Sequence, residues 1–293
     1  MHIMLKKAYL RKCLNTRYFS RHHATRAWER SIDMVKCVVL AGSSESSKEI
    51  ALISSTSEYV TNKAFLEING KPMIRYIISA LEESEYVKEI VVVGPVDSLN
   101  NCLSNFTGTV VEEHESGKVL DNVIKGIQKI NATENILVVT SDIPLITSKA
   151  IDDFVRSCNN KFDLFYPVIP KEQNNLRFPG VERTYVNLID GNFTGGNIFY
   201  LNPQKIRPCY ESVDRLIGQR KNPFRLAMNF GVGFLTQFLL GKLSLNQAEQ
   251  KISQILNIKV KVIVSTHPEL GIDIDKISDL KLAQEIISDE ACV

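Results

Sequence analysis

Charged side chains that suit phosphate chemistry occur at three separate places in the sequence. Lys63 lies in the segment NKAFLEINGKPMI, Asp142 closely follows the apolar run NILVVT, and Asp273 lies in GIDIDKISDLKLA. An aspartate at the end of a buried strand costs free energy unless it meets a cation or hydrogen-bond donors. A lysine adds a positive point charge for phosphate oxygens. Lys63 and Asp142 therefore predict a site for a divalent metal ion and a polyphosphate.

A turn of small residues is a further feature that suits a polyphosphate. Ala41 and Gly42 end the first apolar run, VKCVVL, and their small size lets backbone N–H groups approach a triphosphate closely. Further along, Gly70 supplies a turn and Pro72 opens the next helix. VVLAG paired with K-A-x-L-x-x-x-G-K-P-M is more specific than either motif alone. The pair predicts a nucleotide-binding loop after the first strand.

These residues must be positioned by the elements around them. Short apolar runs alternate with helical periodicity, and the runs are apolar at nearly every position, as buried parallel strands are. This order predicts an α/β fold with a Rossmann-like, doubly wound, mostly parallel sheet. Gly42, Gly94 and Asp142 fall at the carboxyl ends of predicted strands, where such a sheet binds its ligand. The predicted strands are residues 35–40, 89–93, 135–140, 163–168 and 260–264, and the predicted helices are residues 72–83, 119–130 and 151–158.

The character of the sequence changes after Pro203. Residues 204–257 are predicted to form a helical insertion. Within it, residues 226–240 are apolar around most of one predicted helix, but at about 15 residues this stretch is shorter than the roughly 20 that a membrane span needs. No transmembrane span is therefore predicted, and two readings remain: a buried or interface helix, or contact with a membrane surface. The basic residues beside it are Arg215, Arg220, Lys221 and Arg225.

Charge and cysteine content exclude several classes of protein. The net charge is +2, but residues 1–33 hold eight Lys or Arg and two acids, which leaves 27 basic and 31 acidic residues in the rest. An acidic body suits a nucleic-acid backbone poorly, so no nucleic-acid partner is expected. Six cysteines without C-x-x-C or metal-finger spacing favour reduced thiols and a cytoplasmic location. Residues 1–33 are predicted to lie outside the fold, as an upstream extension or a transit peptide, and residues 34–293 to form one domain.

The motifs at 38–42, 62–74 and 138–147 resemble the MobA-like nucleotidyltransferase superfamily. The strings at 178–188 and 193–203, together with the long helical insertion, most resemble an uncharacterised bacterial branch of it. The resemblance runs from Val35 to about Ala283. It implies a glycosyltransferase-A-like fold, Mg²⁺ as cofactor, an NTP and a phosphorylated small-molecule acceptor as substrates, and release of pyrophosphate. The family loop reads L-A-G-G-x-x-x-R-M, whereas this chain has Ser in place of the second Gly and a Lys as substitute for the Arg. The implied nucleotide contacts in this part are Leu40, Ala41, Gly42, Ser43, Lys48 and Lys63.

The resemblance also assigns the metal ligands. Asp142 matches a D-x-P motif whose Asp binds Mg²⁺, Asp273 aligns with the second ligand, and Asp275 is the next candidate. Lys63, Asp142 and Asp273 are the implied catalytic residues. As alternatives, Asp142 caps the helix that begins near Ser148, and Asp275 caps the helix that follows it.

Two more segments are assigned to the substrates. The turn HESGK before the helix at 119–130 resembles a nucleobase or ribose site, which implies contacts from Ser116, Gly117 and Asn122, while His114 is read as a solvated loop residue. The acceptor is assigned to Arg183, for its phosphate, and to FTGGN. In that string the acceptor contacts are Thr194, Gly195, Gly196 and Asn197, and the alternative is a hairpin with the glycines at a bulge.

Other functions stay open at this level. A molybdenum-cofactor guanylyl- or cytidylyltransferase has the same fold and chemistry. A glycosyltransferase of the same fold would use a D-x-D metal site, which IDID at 272–275 imitates. A nucleotide-binding protein without turnover would explain the missing loop Arg. A homodimer is also left open.

Overall fold

The computed structural model describes residues 34–42, 62–219 and 223–290. The predicted extension at residues 1–33 and two predicted nucleotide contacts, Ser43 and Lys48, lie outside the described residues. The strands are β1 (Val35–Leu40), β2 (Glu67–Ile68), β3 (Lys71–Pro72), β4 (Val87–Val93), β5 (Thr109–Val111), β6 (Ile136–Thr140), β7 (Leu164–Pro170), β8 (Val186–Leu188), β9 (Gly191–Gly195), β10 (Ile198–Leu201) and β11 (Val260–Val264).

The helices alternate with these strands in the first half of the chain and dominate after β10. They are α1 (Met73–Glu82), α2 (Val96–Cys102), α3 (Val119–Ile130), α4 (Ser148–Ser157), α5 (Lys171–Arg177), α6 (Pro203–Ile206), α7 (Tyr210–Gln219), α8 (Pro223–Asn229), α9 (Val232–Leu239), α10 (Leu245–Leu256) and α11 (Ile277–Glu290). The described residues also form 3₁₀ turns at Lys63–Phe65, Arg207–Cys209 and Pro268–Gly271.

The main sheet is mostly parallel, as the sequence predicts. β1 pairs in parallel with β4 and β6, β4 pairs in parallel with β5, and β7 pairs in parallel with β11. β10 runs antiparallel between β6 and β7. The Rossmann-like, mostly parallel α/β architecture is thereby confirmed, and the carboxyl ends of β1, β4 and β6 lie at one edge of the sheet.

The core explains why β1 is apolar at nearly every position. Cys37, Val38 and Val39 are fully buried, and Val38 packs against α3 while its two neighbours point to the opposite face of the sheet. At Gly126 of α3, a Cβ atom would lie 2.4 Å from Val38 Cγ1, so glycine lets the helix lie directly on the strand. Close helix packing fixes the strand ends, where the predicted site residues lie.

The segment from β8 to β10 differs from a simple strand. β8 and β9 form an antiparallel hairpin, and β9 and β10 then lie end to end along β7. Tyr200 lies opposite Phe165 and Gly195 opposite Val168, so Gly196 and Asn197 bulge out of the ladder. The predicted alternative of a hairpin with glycines at a bulge is therefore confirmed.

The described part of residues 204–257 is largely helical, as predicted, but its apolar stretch is not one helix. Residues 226–240 are divided between α8 and α9, and the chain turns at Gly231, whose φ of 96° is a conformation that favours glycine. The prediction of a single helix there was wrong because it relied on apolar content and overlooked this glycine. In the described residues, no helix has the length and apolar character needed to cross a membrane.

Candidate active site

Asp142 lies directly after β6, at the carboxyl edge of the sheet. The Thr140 hydroxyl donates to Asp142 Oδ1 at 2.6 Å, which orients the carboxylate. The Asp142 carbonyl accepts a hydrogen bond of 2.9 Å from the N–H of Ile274, so this segment is tied to the one that carries Asp273. Thr147 caps α4, because its side chain accepts a hydrogen bond from the N–H of Ala150. The alternative of Asp142 as the helix cap is therefore wrong.

Asp273 is held by a buried guanidinium. Arg183 Nη2 donates to the Asp273 carbonyl oxygen at 2.7 Å, and Nη1 lies 3.7 Å from Asp273 Oδ1 and 3.4 Å from Asp279 Oδ2. Asp279 Oδ2 also accepts the N–H groups of Asp275 and Lys276, both at 3.0 Å. Asp279 thus satisfies donors at the start of α11. Arg183 and Asp279 together fix the path of the chain through Asp273 and Asp275.

The electrostatics of this cluster suit a cation. Burial, followed by the neighbouring carboxylates of Asp142 and Asp275, raises the pKa of Asp273 to about 6, although Arg183 opposes the shift. Oxygen donors that are held close despite their repulsion are the ligands that Mg²⁺ prefers. Within residues 34–42, 62–219 and 223–290, no group of three His, Cys, Asp or Glu could hold a metal ion. The residues fit Mg²⁺ only if nucleotide phosphates and water complete its shell, which is the usual arrangement.

Lys63 contacts the same carboxylate cluster through Asp275. Its ammonium forms an ion pair with Asp275, and its side chain is 10% exposed. Asn62 sets the start of the 3₁₀ turn, because its side chain donates to the Ala41 carbonyl at 2.8 Å and accepts from the Ala64 N–H at 2.9 Å. This buried amide joins the lysine to the end of β1. The predicted phosphate-binding lysine and the small-residue turn are therefore neighbours.

The turn after β1 lies close to neighbouring segments. A Cβ atom at Gly42 would lie 2.6 Å from Asn122 Nδ2 and 2.8 Å from Glu113 Oε2. At Gly94, after β4, it would lie 2.6 Å from the Ala41 carbonyl oxygen. Gly94 is required by its close approach to backbone, whereas Gly42 faces the ends of two side chains, which places the predicted nucleotide turn against the start of α3.

The segment before α3 forms the turn predicted to receive the base or ribose. Asn122 Oδ1 accepts from the His114 N–H at 2.6 Å, and His114 Nδ1 lies 2.9 Å from Ser116 Oγ. Gly117 has a φ of 64°, which suits a tight turn. The His114 side chain is 44% exposed, in agreement with its reading as a solvated loop residue. Nucleotide binding by Ser116, Gly117 and Asn122 stays a prediction.

Residues of α7 stabilise this turn. Asp121 accepts hydrogen bonds from Ser116 and, at 2.6 Å, from the hydroxyl of Tyr210 in α7. These two bonds hold the pKa of Asp121 below its usual range. Lys118 Nζ lies 3.0 Å from Asp214 Oδ2, also in α7. The predicted base-binding turn is therefore fixed by residues that lie far away in the sequence.

The predicted acceptor residues in FTGGN are packed against protein atoms. Thr194 is buried, a Cβ atom at Gly195 would lie 1.8 Å from the Tyr166 hydroxyl, and one at Gly196 would lie 2.8 Å from Pro167 Cγ. These glycines are thus explained by packing within the sheet. Acceptor binding by them stays a prediction.

Asn197 connects β6 and the 3₁₀ turn at Pro268–Gly271 through its backbone. Its N–H donates to the Leu270 carbonyl at 2.8 Å, and its carbonyl accepts from the Thr140 N–H at 3.1 Å. The bulge therefore lies between the segment that leads to Asp142 and the segment that leads to Asp273. It contributes to their relative position whatever the Asn197 side chain binds.

A histidine stabilises the same two segments at a distance. His267 Nε2 lies 2.8 Å from Asp153 Oδ2 of α4, and Nδ1 lies 3.3 Å from Glu269 Oε1. The interactions with Glu269 and then Asp153 raise the pKa of His267, although burial opposes them. The 3₁₀ turn before Asp273 is thereby attached to the helix that follows Asp142.

Comparison with known proteins decides the family. Residues 37–224 match the profile described as the MobA-like NTP transferase domain. The chain belongs to this family. The resemblance identified from the sequence motifs is therefore confirmed, together with the fold it implied.

Three relatives illustrate the range of this family. The chain is 29% identical over 117 residues to 2-C-methyl-D-erythritol 4-phosphate cytidylyltransferase of Clostridium perfringens, covering 38% of this chain and 52% of that protein. It is 32% identical over 101 residues to a probable molybdenum cofactor guanylyltransferase of Pyrococcus horikoshii, covering 34% and 49%. It spans about half the length of these curated relatives. A hypothetical transferase structure from Thermus thermophilus matches with a TM-score of 0.71 and 30% identity, over 84% of this chain and 99% of that chain.

Several residues that build the site in this family member were missed from the sequence. Asn62 carries a local signal, since an Asn two residues before a backbone N–H commonly accepts from it. Asp279 carries another, because an acid in the first turn of a helix satisfies orphan donors. Tyr210 carries none, because its contact with Asp121 depends on where α7 packs.

Proposed function

We propose that this chain is a Mg²⁺-dependent nucleotidyltransferase that moves a nucleoside monophosphate from an NTP to a phosphorylated small molecule, of the sugar-phosphate or polyol-phosphate type, with release of pyrophosphate. One observation carries the proposal. The Ile274 N–H donates to the Asp142 carbonyl, which holds Asp142 near the segment of Asp273, and the Asp142 carboxylate adds to the effect of burial in raising the pKa of Asp273. The turn at Gly42 and the ammonium of Lys63 lie beside these two residues. Family membership and the names of the curated relatives support it.

The roles of the residues follow from charge and position. Lys63 would exchange its Asp275 partner for a phosphate oxygen, and the turn at Gly42 would present backbone N–H groups to the triphosphate. An oxygen of the acceptor phosphate forms a bond to the α-phosphorus while the bond to pyrophosphate breaks. Bound Mg²⁺ supplies neutralisation of charge on these phosphates. Asp142 and Asp273 would hold it, with Asp275 adjacent, and positioning and electrostatics need no protein nucleophile.

The acceptor is assigned to the side of the site formed by Arg183 and the bulge. Arg183 Nε is buried and has no hydrogen-bond partner within the described residues. Both Nη atoms already face Asp273 and Asp279, so a phosphate would bind this guanidinium only by displacing those contacts. A guanidinium freed in this way suits a phosphate group because its planar fork donates two parallel bonds. The acceptor named for the cytidylyltransferase relative, an erythritol 4-phosphate, has the expected chemistry of a phosphorylated polyol.

Pyrophosphate release tests the proposed function. The full chain is incubated with each NTP and Mg²⁺, with and without a panel of sugar phosphates and polyol phosphates. Release that requires both an NTP and one acceptor class supports the proposal. Release of a nucleoside diphosphate from nucleotide sugars would instead show a glycosyltransferase. Binding of an NTP without turnover on any acceptor would favour a nucleotide-binding protein.

We expect stabilisation by Mg²⁺ to depend on pH through Asp273. The folded pKa of about 6 lies above the ordinary value of 3.8, so ionisation of this carboxyl in the metal-free protein lowers the free energy of unfolding as pH rises between these values. Mg²⁺ binds the ionised form and reverses this loss above about pH 6. The Mg²⁺-induced rise in melting temperature, with a non-hydrolysable NTP present, should be larger at about pH 8 than at about pH 5.

Two matched variants distinguish the titration of Asp273 from general effects of pH on stability. Asp273→Asn should abolish most of the pH-dependent difference, whereas Asp289→Asn, at an exposed position in α11, should leave it intact. An equal Mg²⁺-induced shift at both pH values in the parent protein would contradict this assignment.

Tyr210→Phe should weaken nucleotide binding. The change removes the hydroxyl that holds Asp121, so Ser116 and the turn before α3 lose their brace. We expect the Kd for the preferred NTP to rise about threefold to tenfold, with a smaller effect on the acceptor KM. Tyr86→Phe is the control, because that hydroxyl accepts from Arg156 instead. An unchanged Kd in Tyr210→Phe would show that the turn does not depend on α7.

A further inference from the structure

The helices α8 and α9 present an unusual concentration of exposed apolar side chains. Eleven large apolar residues are exposed in the part of the chain that the structure describes, and five of them fall between residues 224 and 240. Their exposed fractions are 46% for Phe224, 55% for Met228, 78% for Val232, 61% for Leu239 and 67% for Leu240. We call these five residues the apolar surface. Clustered exposure of this kind marks an interaction site more often than scattered exposure does.

These side chains are not needed for packing of the two helices. α9 already rests on the protein through Phe234 and Phe238, which pack against the cluster that contains Phe193 and Leu243. α8 is anchored through the buried Ala227. Each helix therefore has an inner apolar face that stabilises the fold, and the outer apolar face requires a separate explanation.

Spacing places the outer residues on common faces. Phe224 and Met228 are four positions apart in α8, and Val232 and Leu239 are seven apart in α9, so each pair lies on one side of its helix. The ring of Phe230 packs edge-to-face on that of Phe234 at 4.9 Å, which joins the two helices. Helices of seven and eight residues cannot span a bilayer. They can lie in the plane of its interface.

The positive charge of the surrounding sequence favours an anionic partner. Residues 215–248 contain five Lys or Arg and no Asp or Glu. Three of these cations are exposed: Arg215, Arg225 beside Phe224, and Lys242 shortly after Leu240. A second copy docked by two-fold symmetry would bring like charges together with no acid from this segment to offset them. A surface of anionic lipid would accept both the cations and the apolar side chains.

We propose that α8 and α9 form a docking surface for an anionic membrane, with the apolar surface inserted at the level of the headgroups and with Arg225 and Lys242 on lipid phosphates. The proposal is independent of the reaction at the Asp142 site. It assigns the helical segment a role in placing the protein at a membrane surface.

Vesicle co-sedimentation of the full chain tests this proposal. We expect binding to vesicles of mixed phosphatidylserine and phosphatidylcholine to be at least about tenfold tighter than to pure phosphatidylcholine, and to weaken at high salt. The double variant Val232→Ser/Leu239→Ser should lose most of this binding. Arg225→Gln/Lys242→Gln should lose the preference for anionic lipid.

A matched control uses apolar residues that are equally exposed elsewhere. Leu176 is 78% exposed and Ile189 is 65% exposed, so Leu176→Ser/Ile189→Ser removes similar surface outside α8 and α9 and should bind vesicles like the parent. Melting temperatures confirm that all variants fold. Equal binding by the Val232→Ser/Leu239→Ser protein, or equal affinity for both lipid mixtures, would overturn the proposal. So would a concentration-dependent dimer that is lost in Val232→Ser/Leu239→Ser, which would identify a second copy as the partner.

Discussion

Replacing Asp142 or Asp273 with Asn is expected to reduce Mg²⁺-dependent nucleotidyl transfer by about 10²-fold or more, while the domain still folds. Each change removes a negative charge from the cluster in which Asp142 and Asp275 raise the pKa of Asp273. A metal that stabilises charge on transferring phosphates contributes several kcal/mol to catalysis, which corresponds to orders of magnitude in rate. Steady-state rates at limiting and saturating Mg²⁺ measure the effect. The expected loss is largest at limiting metal.

The fold should tolerate both substitutions, since removing one of several mutually repelling carboxylates relieves repulsion. We therefore expect an unchanged or slightly higher melting temperature in the absence of Mg²⁺. Asp289→Asn again serves as the exposed control. Near-parental activity at limiting Mg²⁺ in either variant would remove that residue from the metal site. A collapse in melting temperature would point to a structural role instead.

Arg183→Ala is expected to have the largest effect on stability. The Arg183 side chain is 8% exposed and the Asp279 side chain 5% exposed, so truncation leaves a buried carboxylate without its cationic partner. Loss of one member of such a pair costs about 3–5 kcal/mol. The segment from Asp273 to Asp275 should also loosen, because Arg183 Nη2 no longer holds the Asp273 carbonyl. Denaturant unfolding and the Mg²⁺ dependence of NTP binding measure the two effects.

Other variants distinguish positioning by Arg183 from contact with the acceptor. Arg183→Lys keeps the charge but loses the planar fork, so it should recover part of the stability. Asp279→Asn should be destabilising by a similar amount and non-additive with Arg183→Ala. Arg207→Ala, at an exposed position, should have little effect. A raised acceptor KM with unchanged stability would instead favour the acceptor phosphate as the main partner of Arg183.

The elements that apolar pattern specifies were predicted closely. β1, α3 and β11 have the bounds given by the sequence, because each is a run of apolar or periodic residues between clear breaks. The carboxyl-edge positions of Gly42 and Asp142 follow from the same pattern, since parallel strands place their ends together. Burial pattern therefore locates the site, although it does not show which residues hold it together.

Polar contacts between distant parts of the chain could not be predicted from the sequence. Arg183 carries no local signal that its guanidinium lies between Asp273 and Asp279, because that contact depends on α11 packing near the chain before β8. The brace from Tyr210 to Asp121 depends likewise on the packing of α7. Side-chain hydrogen bonds between distant elements follow from tertiary structure, and neither periodicity nor propensity encodes them.

The main-chain hydrogen bonds at the bulge determine the order in which the candidate site forms during synthesis on the ribosome. Thr140, Asn197 and Leu270 are joined through main-chain hydrogen bonds at Asn197, and Ile274 closes the connection to Asp142. Asp142 emerges from the ribosome early, but Asp273 emerges only after the entire helical segment and β11. Non-local contacts of this kind form late because chain closure must precede them. A nascent chain can therefore build β1, β4 and β6 before the proposed metal site exists, and on this proposal it can consume nucleotide only after the segment with Asp273 has emerged.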